Sequence, residues 1–255
     1  MSRRKSVCLV LIFLASSLSG IAFNDWNSFK EQPNDVDEEL SISDDEAMQR
    51  VLGAWGGGGS GEDRAWSVAT DSVGNTFVAG HVNGGLTLGS FTWSAIGNDD
   101  AFVAKLDVEG NWEWVELFGT TEADAATSVV VDANGDVLIG GFFDNGSAQG
   151  DGAMTIGNTT LTVNGSEAED IFIAKISNSG NWSWAISAGG SSMDILFDIS
   201  VDTNGDVYAC GRYGSASGIL IGTSFLSGNG SADVFVAKAL SSGSWEWAAS
   251  ATGFE

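Results

Sequence analysis

The sequence predicts an all-β fold in which a four-stranded antiparallel sheet is repeated three times. Three observations carry this prediction. The motif Asp-x-Phe-(Val/Ile)-Ala-Lys begins at 100, 170 and 233, so its copies are 70 and 63 residues apart. Each copy lies in a unit with room for four strands. The motif strand is apolar on both faces, as in a sheet stacked between neighbours. Stacked four-stranded blades form a β-propeller, here an open arc of three repeats.

Turn residues separate the four strands of each repeat. The first strand, near 66–70, 127–131 and 198–201, is followed by an Asp-x-x-Gly turn, where glycine suits the left-handed position of a short hairpin. The second strand ends in Gly80, Gly141 or Gly211. A variable insert with a small hairpin of its own precedes the third strand, and a glycine turn then leads to a Trp-x-Trp fourth strand. The predicted repeats span about 56–119, 120–189 and 190–253 of a propeller region at 50–255.

The charge balance and the scarcity of metal ligands exclude several functions. The chain of 255 residues has 10 Lys plus Arg against 34 Asp plus Glu, for a formal net charge of −24. Such a chain repels phosphate backbones, so we expect no nucleic-acid partner. One His and two Cys exclude a multi-histidine metal site and a four-thiolate zinc site. We expect no cofactor and no catalytic group.

The N-terminus has the pattern of a secretory signal peptide. Bases at 3–5 precede an apolar run at 7–14, and Gly20-Ile21-Ala22 supplies a small-residue cleavage site. The predicted signal peptide is 1–22. An uncleaved anchor is the alternative, although the apolar run is shorter than the ~20 residues that span a bilayer. An acidic, disordered linker is predicted at 23–49. We therefore expect a secreted, extracellular or cell-surface protein with no membrane span in the mature chain.

The turn aspartates have two interpretations. Asp71, Asp132 and Asp202 recur at one place in every repeat, which favours a structural role in which each carboxylate accepts a hydrogen bond from the turn backbone. The alternative is calcium binding, because oxygen ligands at alternate positions resemble the start of an EF-hand loop. The candidate ligands are Asp132, Asn134, Asp136, Asp202, Asn204 and Asp206. No Glu follows at the EF-hand position, so we favour the structural role and expect no metal.

Three lysines and one cysteine lie on strands that are predicted to be buried. Each motif ends in a lysine, and a buried ammonium group needs a partner. We expect a structural ion pair with an acid from one of two recurring sets. The lysines are Lys105, Lys175 and Lys238, and the acids are Asp63, Asp124 and Asp194, or Asp100, Asp170 and Asp233. After signal cleavage Cys210 is the only thiol, and its apolar strand predicts a small core residue rather than a nucleophile.

A local binding function should use positions at which the repeats differ. The residues after the glycine of the second strand share one end of the fold and differ in every repeat. They are His81, Phe142, Phe143, Asp144, Arg212 and Tyr213. Loops at one end of a scaffold commonly carry binding sites, so these are candidate binding-surface residues. No Ser or Asp stands at a recognisable triad spacing from His81.

Three strings resemble the bacterial and archaeal β-propeller repeats called SBBP repeats. They are Asp-Ala-Phe-Val-Ala-Lys-Leu-Asp at 100–107, Gly-Asn-Trp-x-Trp at 110–114 and Val-Asp-x-Asn-Gly-Asp-Val at 131–137. The resemblance covers about 50 to the C-terminus. It implies a secreted or surface-displayed propeller and carries no defined activity. We expect a non-enzymatic structural or binding module for an unknown extracellular protein or glycan. The alternative is a polysaccharide-active hydrolase or lyase on a propeller scaffold.

The number of repeats raises the question of ring closure. Propellers typically close with four to eight blades. Three repeats, preceded by a further predicted strand at 50–55, predict an open arc that is a fragment of a larger propeller. We expect the remaining blades to follow C-terminally or to be supplied by oligomerisation, for instance as two copies with six blades.

Overall fold

The structure, a computed structural model, describes residues 57–58, 60–144, 153–162, 169–214, 218–228 and 231–251. The predicted signal peptide, the acidic linker and the strand at 50–55 lie outside these residues. The described part of the chain contains eighteen strands and no helix. Among these residues, accordingly, no helix is long and apolar enough to cross a membrane.

The main strands form three four-stranded blades, each with an insert hairpin. Blade 1 contains β1 (Arg64–Thr70), β2 (Thr76–Asn83), β5 (Asp99–Leu106) and β6 (Trp112–Phe118), with the hairpin β3 (Leu86–Leu88) and β4 (Phe91–Trp93). Blade 2 contains β7 (Ala125–Val131), β8 (Val137–Phe143), β11 (Asp170–Ile176) and β12 (Trp182–Gly190), with β9 (Ala153–Ile156) and β10 (Thr159–Thr162). Blade 3 contains β13 (Asp194–Val201), β14 (Val207–Gly214), β17 (Ala232–Leu240) and β18 (Ser244–Ala251), with β15 (Ile219–Ile221) and β16 (Ser224–Leu226). The main strands of each blade pair antiparallel in chain order, which confirms the predicted fold class.

A bulge in the first strand explains the glycine of the second strand. The register shifts between Ala65 and Ser67 in blade 1, and at the equivalent place in blades 2 and 3. The bulge presses the first strand against the second. A methyl group on the opposing glycine would lie 1.9–2.1 Å from a first-strand carbonyl oxygen, so only glycine fits at Gly80, Gly141 and Gly211.

The hydrophobic core lies between the blades. We call the side of a blade that faces the next blade its front face, and the side that faces the preceding blade its back face. The front face of blade 1 packs on the back face of blade 2, and the front face of blade 2 packs on the back face of blade 3. A third cluster lies on the back face of blade 1 with its insert hairpin. Front-face residues include Phe77, Ala79, Ala101, Val103, Leu138, Ile171 and Ile173; back-face residues include Val78, Phe102, Val129, Phe172, Ile199, Val207 and Phe235.

The second tryptophan of each Trp-x-Trp pair ties a blade to the turn of the next blade. Trp114 Nε1 donates to the carbonyl oxygen of Asn178 at 2.9 Å, and Trp184 Nε1 donates to that of Ser241 at 3.1 Å. Each indole covers the turn glycine, which has a φ of 83° or 82°. A methyl group on Gly180 or Gly243 would lie 3.1 or 2.6 Å from the indole. Glycine therefore permits both the left-handed turn and the close stacking.

The first strands form the innermost layer of the arc. β1, β7 and β13 contact one another from blade to blade. At the bulge, the backbone N–H of Val129 donates to Ser67 Oγ at 3.1 Å, and that of Ile199 donates to Ser128 Oγ at 3.2 Å. The same hydrogen bond thus links both junctions between blades.

The insert hairpin of blade 3 also reaches its neighbour. β15 pairs with the end of β12, at Gly189–Leu220 and Gly190–Ile219. The sheet of blade 2 therefore has six strands. The sequence predicts the hairpin but not that it joins the sheet of the preceding blade.

Candidate binding surface

Each turn aspartate accepts hydrogen bonds from the backbone of its own turn, which is the structural role predicted for it. Asp132 Oδ1 accepts hydrogen bonds from the backbone N–H groups of Asn134 at 2.8 Å and Asp136 at 3.0 Å. Asp202 and Asp71 accept the equivalent bonds in blades 3 and 1. A carboxylate that bonds to its own turn in every blade stabilises the fold.

The lysines pair with acids other than those predicted. Lys175 Nζ lies 2.9 Å from Asp132 Oδ2 and 3.1 Å from Asp136 Oδ2. Lys238 Nζ lies 2.9 Å from Asp206 and 2.8 Å from Glu246, and Lys105 Nζ lies 2.7 Å from Glu113 and hydrogen-bonds to Asn178 of blade 2. The prediction was wrong because the third strand runs antiparallel to the second. The lysine end of the third strand therefore lies beside the Asp-x-x-Gly turn, at the opposite end from the predicted acids.

These ion pairs alter the charge of the turns. Burial alone would lower the pKa of Lys175, but the hydrogen bonds and charges of Asp132 and Asp136 outweigh it and raise that pKa. The hydrogen bond from Lys238 holds the pKa of Asp206 below its usual value. The ion pairs therefore favour the charged forms of Lys175 and Asp206.

The calcium alternative concerns the same oxygens. An ammonium group already lies against Asp132 and Asp136 in blade 2 and against Asp206 in blade 3. Asn134 and Asn204 each donate a backbone N–H to the first aspartate of the turn. In the part of the chain that the structure describes, no three His, Cys, Asp or Glu side chains are grouped to hold a metal ion. Calcium at these turns stays the untested alternative to the structural role, and the metal would have to compete with a lysine.

A second recurring set of acids lies at the junctions between blades. The backbone N–H of Asp124 donates to the carbonyl of Asp99 at 2.8 Å, and that of Asp194 donates to Glu169 at 2.8 Å. Asp124 is thereby placed beside Asp100, and Asp194 beside Asp170. Asp100 and Asp170 are the buried first residues of the lysine motif in the preceding blade. A methyl group on Gly119 would lie 2.6 Å from Asp124 Oδ2 and 2.8 Å from Asp100 Oδ1. By the sum of these distances, the two carboxylate oxygens are at most 5.4 Å apart.

Burial dominates the protonation of these acids. It raises the pKa of Asp124 to about 7 against hydrogen bonds from Thr120 and Asp144, with a smaller contribution from Asp100. It also raises the pKa of Asp194 to about 7 against hydrogen bonds from Gly190 and Gly214. Both side chains are within 1% of complete burial. A carboxyl group so enclosed can hold a proton near neutral pH, but it cannot reach a substrate in solvent.

Two of the predicted binding-surface residues are part of the core. β8 and β14 continue beyond the glycine that the sequence suggested as their end, so successive side chains point to opposite faces. Phe143 is fully buried, with its ring centroid 6.4 Å from that of Phe172. Tyr213 is also fully buried, and its hydroxyl donates to the carbonyl of Ser227 at 3.0 Å. Neither residue contributes to an exposed loop.

The other predicted residues are at least partly accessible. His81, Phe142 and Arg212 occupy one register position, opposite Arg64, Ala125 and Ile195 of the first strands. His81 and Phe142 are half-buried and Arg212 is exposed. Asp144 is half-buried, and its backbone N–H donates to Asp124 Oδ1 at 3.1 Å.

An aromatic cluster beside His81 was not predicted from the sequence. Trp66, the bulged residue of β1, is 49% exposed, and its Nε1 donates to His81 Nδ1 at 3.0 Å. The guanidinium carbon of Arg64 lies 5.7 Å from the centroid of the indole, and Arg64 also pairs with Glu62. We call Arg64, Trp66 and His81 the Trp66 cluster. Its signal in the sequence is that blade 2 has Thr127 where blade 1 has a tryptophan, but the bulge that exposes the ring cannot be read from the repeat pattern.

The hydrogen bond in this cluster sets the state of the histidine. Burial lowers the pKa of His81, and the charge of Asp99 opposes that effect. Nδ1 accepts the indole proton, which requires a ring without a proton on that nitrogen. His81 therefore fixes the indole in one orientation at neutral pH, with one face of the cluster in solvent.

Blade 3 differs from the other blades at the same positions. Phe197 takes the place of Trp66 and is exposed, and Arg212 lies beside the sulfur of Met193 at 2.9 Å. Cys210 is exposed, so its prediction as a core residue was wrong. The residues of blades 1 and 2 at that position, Ala79 and Gly140, are covered by the next blade.

Comparison with known proteins supports the architecture but no particular activity. No family model matches the chain. The chain is similar to an uncharacterised WD repeat-containing protein of Acanthamoeba polyphaga mimivirus, with 25% identity over 207 residues. The match covers 70% of this chain and spans 14% of the length of that protein. Together with the four-stranded antiparallel blades, this similarity indicates a repeat protein of the β-propeller type.

Proposed function

We propose that the chain is a secreted or cell-surface propeller of SBBP type that acts as a non-enzymatic binding module, with the Trp66 cluster as its contact surface for a glycan. One observation carries this proposal. The polar groups that recur in every blade are engaged in turns and junctions, whereas the Trp66 cluster occurs in one blade and is open to solvent.

A glycan fits this cluster better than the protein partner that the sequence also allows. The exposed indole offers a flat apolar face, and the guanidinium and imidazole beside it offer polar contacts. Small ligand sites commonly combine an aromatic surface with a few oriented polar groups. The hydrogen bond to His81 holds the indole in place before the ligand arrives, which reduces the entropy cost of binding.

The recurring acids of the turns and junctions give no support to the hydrolase or lyase alternative. Glycoside cleavage uses two carboxyl groups on either side of an accessible bond. Asp100 and Asp124 are close together but buried, and so is Asp194. The turn acids Asp132 and Asp206 are paired with lysines.

The test is a glycan array probed with the chain from residue 23 onward, beside an assay for release of reducing sugar. We expect binding to a restricted set of glycans without turnover. Trp66→Ala should reduce the affinity at least tenfold. Trp93→Ala is the matched control, because Trp93 is also an exposed tryptophan but lies on the insert hairpin β4.

Two results would contradict the proposal. Release of sugar that persists through purification would identify an enzyme. Equal binding by the Trp66→Ala and Trp93→Ala variants would place the contact surface elsewhere on the protein.

A further inference from the structure

Blade 3 exposes a face that the other two blades bury. Val234, on the front face, is 53% exposed, whereas Ala101 and Ile171 at the same position of blades 1 and 2 are fully buried. Other exposed residues on this face are Phe197, Cys210, Val236 and Trp247. A continuous apolar surface of this kind is typical of an interaction site.

The two junctions inside the chain show what a front face binds. The next blade presents a β-branched residue of its first strand, Val129 or Ile199, which becomes buried. The backbone N–H of that residue donates to a serine hydroxyl on the front blade. The turn between the third and fourth strands of the next blade presents a carbonyl to the indole and a glycine beneath it.

Blade 1 carries the groups that such a partner needs. Val68 stands at the position of Val129, yet it is 46% exposed where Val129 is 3% exposed. In the β5–β6 turn, Val108 stands where Asn178 and Ser241 supply carbonyls, and it is exposed. Gly110 has a φ of 83°, like the turn glycines that the indoles cover.

Blade 3 carries the complementary groups. Trp247 stands at the position of Trp114 and Trp184 and is exposed. Asp198 stands where Ser67 and Ser128 accept a backbone N–H from the next blade, and because its Oδ1 already accepts from Ser128 Oγ and the N–H of Ile199, Oδ2 is the oxygen offered to a partner. The front face of blade 3 and the back face of blade 1 therefore carry the same complementary groups that meet at the two internal junctions.

We propose that the front face of blade 3 is the docking surface for a second copy of the chain, which presents β1 and the β5–β6 turn of its blade 1. Val68 of the second copy packs against Val234 and Val236, and its backbone N–H donates to the Asp198 carboxylate. The Trp247 indole donates to the carbonyl of Val108. Two such junctions about a two-fold axis close two arcs into one six-bladed ring, within the usual range of four to eight blades.

The oligomeric state of the chain from residue 23 onward tests this proposal. We expect light scattering at micromolar concentration to give one species of twice the chain mass. Phe197→Asp and Val234→Asp each place a charge on the docking surface and should give monomers with an unchanged far-ultraviolet circular dichroism spectrum. Phe225→Asp is the matched control, because Phe225 is an exposed phenylalanine on the hairpin strand β16, and this variant should stay dimeric.

Cys210 gives a second measurement that does not depend on mass. Its thiol lies on the docking surface and is exposed in a single copy. A thiol reagent should therefore modify it at least tenfold more slowly in the dimer than in the Phe197→Asp monomer. A monomer with a reactive thiol would overturn the proposal. So would assemblies that grow beyond two copies, or a dimer that survives both Phe197→Asp and Val234→Asp.

Discussion

The junction between blades 1 and 2 and the junction between blades 2 and 3 share their backbone contacts but not their polar side chains. In both, an indole donates to a turn carbonyl and a first-strand N–H donates to a serine. At the first junction, Asn178 Nδ2 of blade 2 also donates to Asp71 Oδ2 of blade 1 and, within blade 2, to the carbonyl of Gly135, each at 3.1 Å. Ser241 takes that position at the second junction, where its carbonyl accepts the hydrogen bond from Trp184.

The second junction has its additional polar contacts between the first strands, β7 and β13, rather than at the turn. Thr127 Oγ1 donates to the carbonyl of Leu196 at 2.7 Å, and Ser128 Oγ donates to Asp198 Oδ1 at 2.7 Å. Stacking is therefore set by the backbone, the indoles and the turn glycines, which the repeats share. The polar side chains that reinforce it can move from the turn to the innermost strand without a change of fold.

The largest effect should come from removing the shared indole at each junction. Trp114→Ala and Trp184→Ala should each reduce the free energy of unfolding by about 3 kcal/mol, through lost packing and a cavity. Trp93→Ala, on the exposed β4, should cost less than about 0.5 kcal/mol. Urea unfolding followed by circular dichroism measures all three. A much smaller loss for Trp114→Ala than for Trp184→Ala would show that Asn178 can hold the first junction without the indole.

A second comparison uses pH, because each junction contains one buried carboxyl group with a pKa of about 7, Asp124 or Asp194. Their pKa values are raised above the ordinary value of 3.8, so near neutral pH the folded state binds protons that the unfolded state has lost. The stability they contribute is present at low pH and is lost as the pH rises through 7. Each group should lower the free energy of unfolding by about 1 kcal/mol from pH 6 to pH 7 and by only about 0.3 kcal/mol from pH 7 to pH 8, where it has lost its proton in both states.

Melting curves at pH 6, 7 and 8 measure this slope. Asp124→Asn and Asp194→Asn should each remove about half of it, while Asp107→Asn, at an exposed turn, should leave it unchanged. His81 works in the opposite direction, because its lowered pKa makes protonation on the acid side destabilising. A melting temperature that rises from pH 6 to pH 8 would contradict the buried-carboxyl interpretation.

The smallest effect concerns the side chain that distinguishes the junctions. Asn178→Ser makes the first junction resemble the second and should cost about 1 kcal/mol, because three side-chain hydrogen bonds are lost while Lys105 keeps its partner Glu113. The reverse change, Ser241→Asn, should alter stability by less than about 0.5 kcal/mol, since Lys175 already engages Asp132 Oδ2. Urea unfolding of the two variants measures both changes in stability. A clear gain for Ser241→Asn would show that Asp132 can still accept a hydrogen bond from the introduced amide.

Repetition made the blades predictable from the sequence. Three copies of the lysine motif, the turn aspartates and the Trp-x-Trp pair indicated four antiparallel strands, and the structure has them. The lysine partners were not predictable from spacing alone, because they depend on which ends of two antiparallel strands meet. The burial of Phe143 and Tyr213 could have been predicted, because Val82 is also apolar at that position. The exposure of Cys210 depends on whether another blade covers the front face of blade 3, and the sequence around Cys210 does not indicate this.

The insert hairpins have a consequence for local unfolding. Thr87 exchanges backbone hydrogen bonds with Gly58, at 3.2 and 3.3 Å, as Leu220 pairs with Gly189. The hairpin of blade 3 thus holds the end of β12 and covers part of an edge that could pair with another chain, whereas β9 and β10 of blade 2 form a two-stranded sheet of their own. Loosening the hairpin of blade 3 should therefore release amide protons of β12 to solvent exchange before those of β14. The stability of the end of β12 therefore depends on the blade that follows it as well as on its own blade.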